Sequence, residues 1–187
     1  MKPGENLRLI LLRHAKSDWA DKSLDDHDRP LNTRGRAAAP RIGAYMRERK
    51  YIPRLVLCSS AKRTRETLAL LLPYFTPAPE VRYLRHLYLA EWRALLGAVR
   101  EAPRAATPLL IVGHNPGMEQ LAAELAAKPG NAAERARTEK AAEKFSTGAL
   151  AVFDFAGSDW RGAKPRLGRL ADFARPRDLP GAPENEA

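Results

Sequence analysis

Three short aliphatic runs constrain this chain more than any other feature: Leu9-Ile10-Leu11-Leu12, Leu55-Val56-Leu57-Cys58 and Leu109-Leu110-Ile111-Val112. None offers a polar residue to water, so each reads as a strand covered on both faces, as in a parallel sheet with helices above and below. Each run also stops abruptly in a polar loop. Arg13-His14-Ala15 follows the first, Ser59-Ser60-Ala61-Lys62-Arg63-Thr64 the second, and Gly113-His114-Asn115-Pro116-Gly117 the third. Ligands of open α/β sheets bind outside the carboxyl ends of the strands. One histidine at such an end is most simply a packed side chain. Two histidines and two arginines, at equivalent ends of three strands, point to a site.

Strand-like and helical patterns alternate along the chain, which predicts an α/β fold, a three-layer α/β/α sandwich around a mostly parallel central sheet. Strands are expected near residues 8–13, 54–58, 81–84 and 108–112, and two further candidates, 148–155 and 166–173, flank a turn at Gly157-Ser158-Asp159. Helices are expected over residues 33–50, from Ser60 or Ala61 to about Leu72, over 91–100, and from Pro116 to about Ala126. Pro40 should kink the first of these or mark a restart, because proline removes a backbone donor and clashes with the preceding turn. Pro116 is expected at the first helical position. Residues 16–32 form a polar, Asp-rich segment too long for a mere connector, hence a candidate functional loop. Residues 128–144 read as a surface loop with a helical piece, and residues 176–187 as a flexible tail. A single domain over residues 1–175 accounts for the length.

Composition narrows the function classes. The chain of 187 residues has a formal charge of +10, which invites a nucleic-acid reading. Its cations are spread along the whole sequence without a dense block or interleaved aromatics, so solvated helix faces account for them better, and no nucleic-acid partner is expected. A positive rim would equally suit a phosphorylated substrate. No apolar stretch has the length of a membrane span, and Met1-Lys2-Pro3-Gly4-Glu5 carries no signal-peptide core, so a cytoplasmic monomer away from membranes is expected. The single cysteine, Cys58, excludes an internal disulfide and reads as a packed side chain.

The rim residues match the needs of phosphoryl transfer. Arginine presents a planar fork of donors that fits phosphate oxygens and keeps its charge. A neutral imidazole attacks phosphorus once its other ring nitrogen is held by an acceptor. Backbone N–H groups at helix starts after Ser59-Ser60 and Asn115 would add to the same anion site. Neither a metal nor any other cofactor is required.

These residues resemble those of the histidine phosphatase (phosphoglycerate mutase-like) superfamily. Arg13-His14-Ala15 is similar to its Arg-His-Gly signature. The longer stretch Arg13-His14-Ala15-Lys16-Ser17-Asp18-Trp19, with Asp28-Arg29-Pro30-Leu31-Asn32-Thr33-Arg34-Gly35, looks like the SixA-type phosphohistidine phosphatase branch. Ser59-Ser60-Ala61-Lys62-Arg63-Thr64-Arg65-Glu66-Thr67 resembles the second arginine motif, and Gly113-His114-Asn115-Pro116-Gly117 the second-histidine motif. The resemblance runs from Leu7 to about Leu179, with the motifs in family order. It implies that His14 is the nucleophile, that Arg13 and Arg63 bind the phosphoryl oxygens, and that His114 completes the pocket as a donor. Lys16, Ser17 and Ser59 are further phosphate-binding candidates. Ser59 and Thr64 read equally well as a helix cap and a packed first-turn residue.

Three departures refine that expectation. Ala15 replaces the signature glycine. Ala20 stands where many mutase-type members carry a phosphate-binding Asn. Leu89, in Leu87-Tyr88-Leu89-Ala90-Glu91, stands where many carry a Glu general acid. Expelling an alkoxide needs a proton in the transition state, worth typically ~10²–10⁴ in rate. Phosphohistidine can leave as a neutral ring, so a site without a strong acid is expected to favour P–N over P–O cleavage. Asp18, Asp28 and Glu91 are candidate substitute acids. The expected activity is therefore dephosphorylation of protein phosphohistidine, the alternatives being a broader small-molecule phosphomonoesterase and a non-catalytic basic binding module. A metal-dependent hydrolase using His14, His27 and His114 with the Asp-rich loop is a further alternative, although that loop lacks an EF-hand pattern. His27 and His86 read as ordinary surface or packing histidines, Trp92 and Trp160 as packing anchors, and Trp19 as a packing anchor or, alternatively, a flank of the pocket.

Overall fold

The computed structural model describes residues 6–182. Eleven regular elements follow one another: β1 (Asn6–Arg13), α1 (Thr33–Glu48), β2 (Leu55–Ser59), α2 (Lys62–Leu71), β3 (Glu80–Leu84), α3 (Trp92–Arg100), β4 (Leu109–Gly113), α4 (Gly117–Leu125), α5 (Ala132–Glu143), β5 (Leu150–Ala156) and β6 (Arg169–Ala174). The strands form one sheet in the order β3-β2-β4-β1-β5-β6. The first four neighbours are parallel, and β5 and β6 extend the sheet antiparallel.

The aliphatic runs occupy the centre of this sheet because both of their faces are covered. Leu9, Leu11, Leu109 and Ile111 pack with Leu95, Leu96 and Val99 of α3 and with Leu121 and Leu125 of α4. Their sequence neighbours Ile10, Leu12, Leu110 and Val112 point the other way, onto Ala39, Ile42 and Met46 of α1 and Leu68 and Leu71 of α2. The alternation of side chains along a strand thus builds two cores, giving the three layers predicted from the sequence. Among the described residues no helix is long and apolar enough to cross a membrane.

Several expectations need correction. Of the two outcomes expected at Pro40, the restart is not found: α1 is one helix through it, with Ala38, Ala39 and Ile42 buried on either side. Pro116 stands one residue before α4 rather than in its first position. Most of the expected loop at 128–144 is helix α5, which buries none of its residues and so lacks the periodic signal that reveals a helix. The link between β5 and β6 is longer than a turn: it inserts fully buried Trp160, whose Nε1 donates to the Ala106 carbonyl at 3.0 Å. The expected tail begins as a packed 3₁₀ turn, Pro176–Asp178, with Pro176 and Leu179 buried, while residues 183–187 lie outside the described residues.

Candidate active site

Strand register brings the rim together. β1 and β4 pair with Arg13 opposite Gly113, and the His14 N–H donates to the Gly113 carbonyl at 3.1 Å. The next residues on the two strands are His14 and His114, whose rings stand 5.2 Å apart, centroid to centroid. On the other side of β4, Cys58 pairs with Val112, so Ser59 arrives beside the same histidine, with its Oγ 2.8 Å from His114 Nε2.

His14 is buried and its Nδ1 lies 2.7 Å from the Ala15 carbonyl oxygen. A carbonyl only accepts, so Nδ1 carries the ring proton and Nε2 keeps its lone pair. Burial, reinforced by the charges of Arg63, Arg13 and Arg29, brings the His14 pKa down to about 3 despite the opposing pull of the Ala15 hydrogen bond. At neutral pH the ring is a neutral base with one fixed tautomer. His114 is also neutral: burial, followed by the proximity of His14 and Arg63, lowers its pKa to about 2. Its Nδ1 is buried without a hydrogen-bond partner among the described residues.

In front of His14 opens a cavity of about 380 Å³, walled by Arg13, Arg29 and Arg63 together with Lys16, Ser17, Asp26 and Leu89. Arg63, near the start of α2, is buried and grips Asp26 twice, at the backbone carbonyl through NH1 and at Oδ2 through NH2 (2.9 Å). Arg29 holds the opposite carboxylate oxygen at 2.6 Å and reaches the Asp18 carbonyl at 2.8 Å and Ser17 Oγ at 2.7 Å. The Tyr88 hydroxyl donates to Asp26 Oδ2 at 2.6 Å. Burial tends to raise the Asp26 pKa, but the Tyr88 hydrogen bond and the charges of Arg63 and Arg29 outweigh it and bring the value down to about 2. Arg13 uses NH1 on the Phe145 carbonyl at 2.8 Å.

The residues singled out from the sequence divide into groups. Arg13, His14 and Arg63 line the cavity, and so do Lys16 and Ser17. His114 and Ser59 are buried behind them and do not line it. The Thr64 hydroxyl donates to the Ser59 and Ala61 carbonyls at 2.7 Å, which is the packed first-turn reading. The candidate acids stand elsewhere. Asp18 Oδ1 accepts from the Ala20 N–H on an exposed turn, Asp28 is mostly exposed beside His27 Nδ1, and Glu91 is exposed just before α3. None of the three lines the cavity, whereas Asp26 and Leu89 do.

Two residues of the cavity wall, Asp26 and Arg29, were not distinguished in the sequence. Asp26 is one of several aspartates in a loop with no periodicity, and nothing local distinguishes the one that turns inward. His27 takes the packing reading: its Nε2 lies 2.9 Å from Ser60 Oγ, and its ring meets Tyr88 edge-on at 5.0 Å, which in turn meets His114 at 5.5 Å. Trp19 lines the cavity, its alternative reading, rather than acting as a packing anchor: it is 72% exposed with the Arg29 guanidinium 3.0 Å from its ring centroid. Arg29 itself appeared only as part of a motif. Cys58 is packed as expected, and burial pushes its thiol up to about 12. Among the described residues no group of three or more His, Cys, Asp or Glu side chains is arranged to hold a metal ion.

A neutral histidine with one free ring nitrogen, facing a cavity walled by arginines, is an arrangement that suits the chemistry of phosphoryl groups. The profile of the histidine phosphatase superfamily (branch 1) matches residues 9–95. The uncharacterized protein Rv1276c of Mycobacterium tuberculosis is 38% identical over 89% of this chain and its own full length. A protein assigned as phosphohistidine phosphatase SixA from Nakamurella multipartitia superimposes with a TM-score of 0.79 at 30% identity, covering 94% of this chain and 99% of that one. Another so assigned, from Agrobacterium tumefaciens, gives 0.70 at 30% identity, covering 90% and 97%. The chain belongs to the histidine phosphatase superfamily, in its SixA-type branch, and is a phosphatase.

Proposed function

We propose that this phosphatase removes the phosphoryl group from protein phosphohistidine, through a phosphohistidine formed on its own His14 and without a metal ion. One observation carries the reading: the cavity joins a nucleophile of fixed tautomer to a wall without a proton donor strong enough to release an alkoxide. Its carboxylate, Asp26, is held ionised, and Leu89, which the family resemblance sets at the position of an acid, lines the cavity with an apolar side chain. Phosphohistidine needs no such donor, because its imidazole can enter protonated and leave neutral.

In the first step His14 Nε2 forms a bond to phosphorus as the P–N bond of the substrate breaks, and the substrate imidazole leaves with its proton already in place. Arg13, Arg63 and Arg29 balance the charge of the transferring group, whose transition state gains more from fixed positive charge than from covalent chemistry. With the Ser59 hydroxyl donating a hydrogen bond to His114 Nε2, the proton of the neutral His114 ring lies on Nδ1, which has no partner among the described residues and is a further donor. In the second step water bonds to phosphorus, the P–Nε2 bond breaks, and orthophosphate departs with His14 restored.

Rapid quench of turnover followed by mapping of acid-labile, alkali-stable phosphate tests the mechanism, with label expected on His14. Label elsewhere, or none in an active enzyme, overturns it. A phosphohistidine peptide is expected to turn over at least ~10²-fold faster than an alkyl phosphate monoester. Activity is expected to survive dialysis against EDTA.

A further inference from the structure

A second cavity, of about 310 Å³, adjoins the first, and the two share Arg13, Lys16 and Thr147. Its other cations are Arg34, Lys144 and Arg177, and no Asp or Glu lines it. Lys16, Arg34, Lys144 and Arg177 are exposed and make no ion pair among the described residues. The carboxylates nearest in sequence are already committed: Glu143 to Arg175 at 3.2 Å, and Asp178 to Arg175 at 3.0 Å and to Lys140 at 2.9 Å. Gathering like charges around one hollow raises the energy of the empty protein, unless an anion occupies it when the protein works.

The backbone under these cations is built, not loose. Arg34 belongs to the first turn of α1, where Asn32 Oδ1 accepts from the Gly35 N–H at 2.9 Å and the Asn32 N–H donates to the Lys16 carbonyl at 3.0 Å. Lys144 closes α5, directly before Phe145, whose carbonyl holds Arg13. Arg177 rides on the packed turn Pro176–Asp178, and Pro176 fills the space above Gly148. The Gly148 N–H in turn donates to the Arg13 and His14 carbonyls at 3.1 and 3.0 Å. The second hollow is therefore fixed to the strand end that carries His14.

The geometry points to a second anion subsite: Arg34, Lys144 and Arg177 receive an anionic group borne by the same molecule that offers its phosphoryl group to His14. Resting on the phosphohistidine reading above, this specifies the substrate class, a phosphohistidine with a carboxylate close beside it on the partner protein. A plain monoanionic leaving group leaves the subsite empty.

Isothermal titration calorimetry with orthophosphate and pyrophosphate tests the subsite without any turnover. Exposed charge pairs are individually weak, but three acting together amount to about a tenfold preference for pyrophosphate in the native protein. In Lys144→Ala/Arg177→Ala, exposed positions where folding is not at stake, the preference is expected to fall to within about twofold. Equal binding of the two anions by the native protein, or a preference undiminished in the variant, overturns the proposal. Kinetics with phosphohistidine peptides bearing Asp or Asn beside the phosphohistidine then identify the source. A kcat/KM ratio favouring Asp that collapses in the double variant supports the protein carboxylate. A pyrophosphate preference with no Asp preference overturns that assignment and leaves the subsite to a small bis-anionic substrate. No turnover of either peptide overturns the phosphohistidine reading, while the calorimetric result for the subsite stands.

Discussion

Asp26 occupies the guanidinium fork of Arg63: Arg63 donates through NH2 to Oδ2 at 2.9 Å and through NH1 to the Asp26 backbone carbonyl. Part of the fork that the mechanism needs for phosphoryl oxygens is thus engaged by the protein's own anion. A bound phosphate competes with Asp26 for the charge of Arg63.

Removing the competing charge should tighten anion binding. In Asp26→Asn, inorganic phosphate is expected to inhibit about tenfold more strongly, a change of about 1.4 kcal/mol, measured as the inhibition constant for orthophosphate. Weaker inhibition would instead show that Asp26 serves chiefly to aim Arg63.

Leu89 stands in the cavity wall, half exposed and at φ 49°. Leu89→Glu places a carboxyl where the cavity lacks a proton donor, and the exposed position should absorb the change within about 0.5 kcal/mol of stability. The rate on alkyl phosphate monoesters is expected to rise ~10²-fold, toward the ordinary worth of a general acid, with little gain on phosphohistidine. An unchanged ratio between the two substrates would contradict the proposed basis of selectivity.

The two histidines fix the acid dependence of stability. Their folded pKa values, about 3 for His14 and about 2 for His114, lie below the ordinary 6.5, so the unfolded chain binds more protons between those limits. Stability is therefore expected to rise with pH from about 3 to 6.5 and to level off above it. Asp26, depressed to about 2, adds its contribution above its usual carboxylate range and loses it only as pH falls toward 2. Loss of stability between pH 6.5 and 4.5 thus belongs to the histidines. Urea denaturation at several pH values should show a shallower slope there for His14→Ala, and kcat/KM should lack a limb near 6.5 from the nucleophile.

Gly35 supports the loop of residues 16–32 by its lack of a side chain. A Cβ on it would stand 2.1 Å from the Lys16 carbonyl oxygen, a backbone atom that can move only by carrying the loop away from α1. Gly35→Ala is expected to cost about 1–3 kcal/mol in urea denaturation and to lower kcat, since Ser17 and Arg29 are held by the same loop.

The central strands and the helices with apolar stripes were legible because burial on one or both faces writes a period into the sequence. Helix α5 was not: it buries no residue, so its twelve residues carry no stripe, and only contact with β6 and α4 accounts for its place. The site split along the same line. Residues at the ends of buried strands, Arg13, His14 and His114, were legible by position, and Arg63 by its motif after β2. Asp26, His27, Trp19 and Arg29 sit in an aperiodic loop, where local sequence does not distinguish a side chain that turns toward the sheet from one that turns to water.

Local pattern along the chain settles the frame: strands that must be buried, loops that must follow them, and the chemical types delivered to one edge. Register and loop folding, which sequence pattern leaves open, decided the rest. Pairing Arg13 with Gly113 set His14 beside His114. Folding of residues 16–32 over the strand ends chose Asp26, rather than Asp18 or Asp28, as the carboxylate on Arg63. The physical reason is that a strand's apolar period is local information, whereas the partner of a buried charge is settled only when distant segments exclude water together.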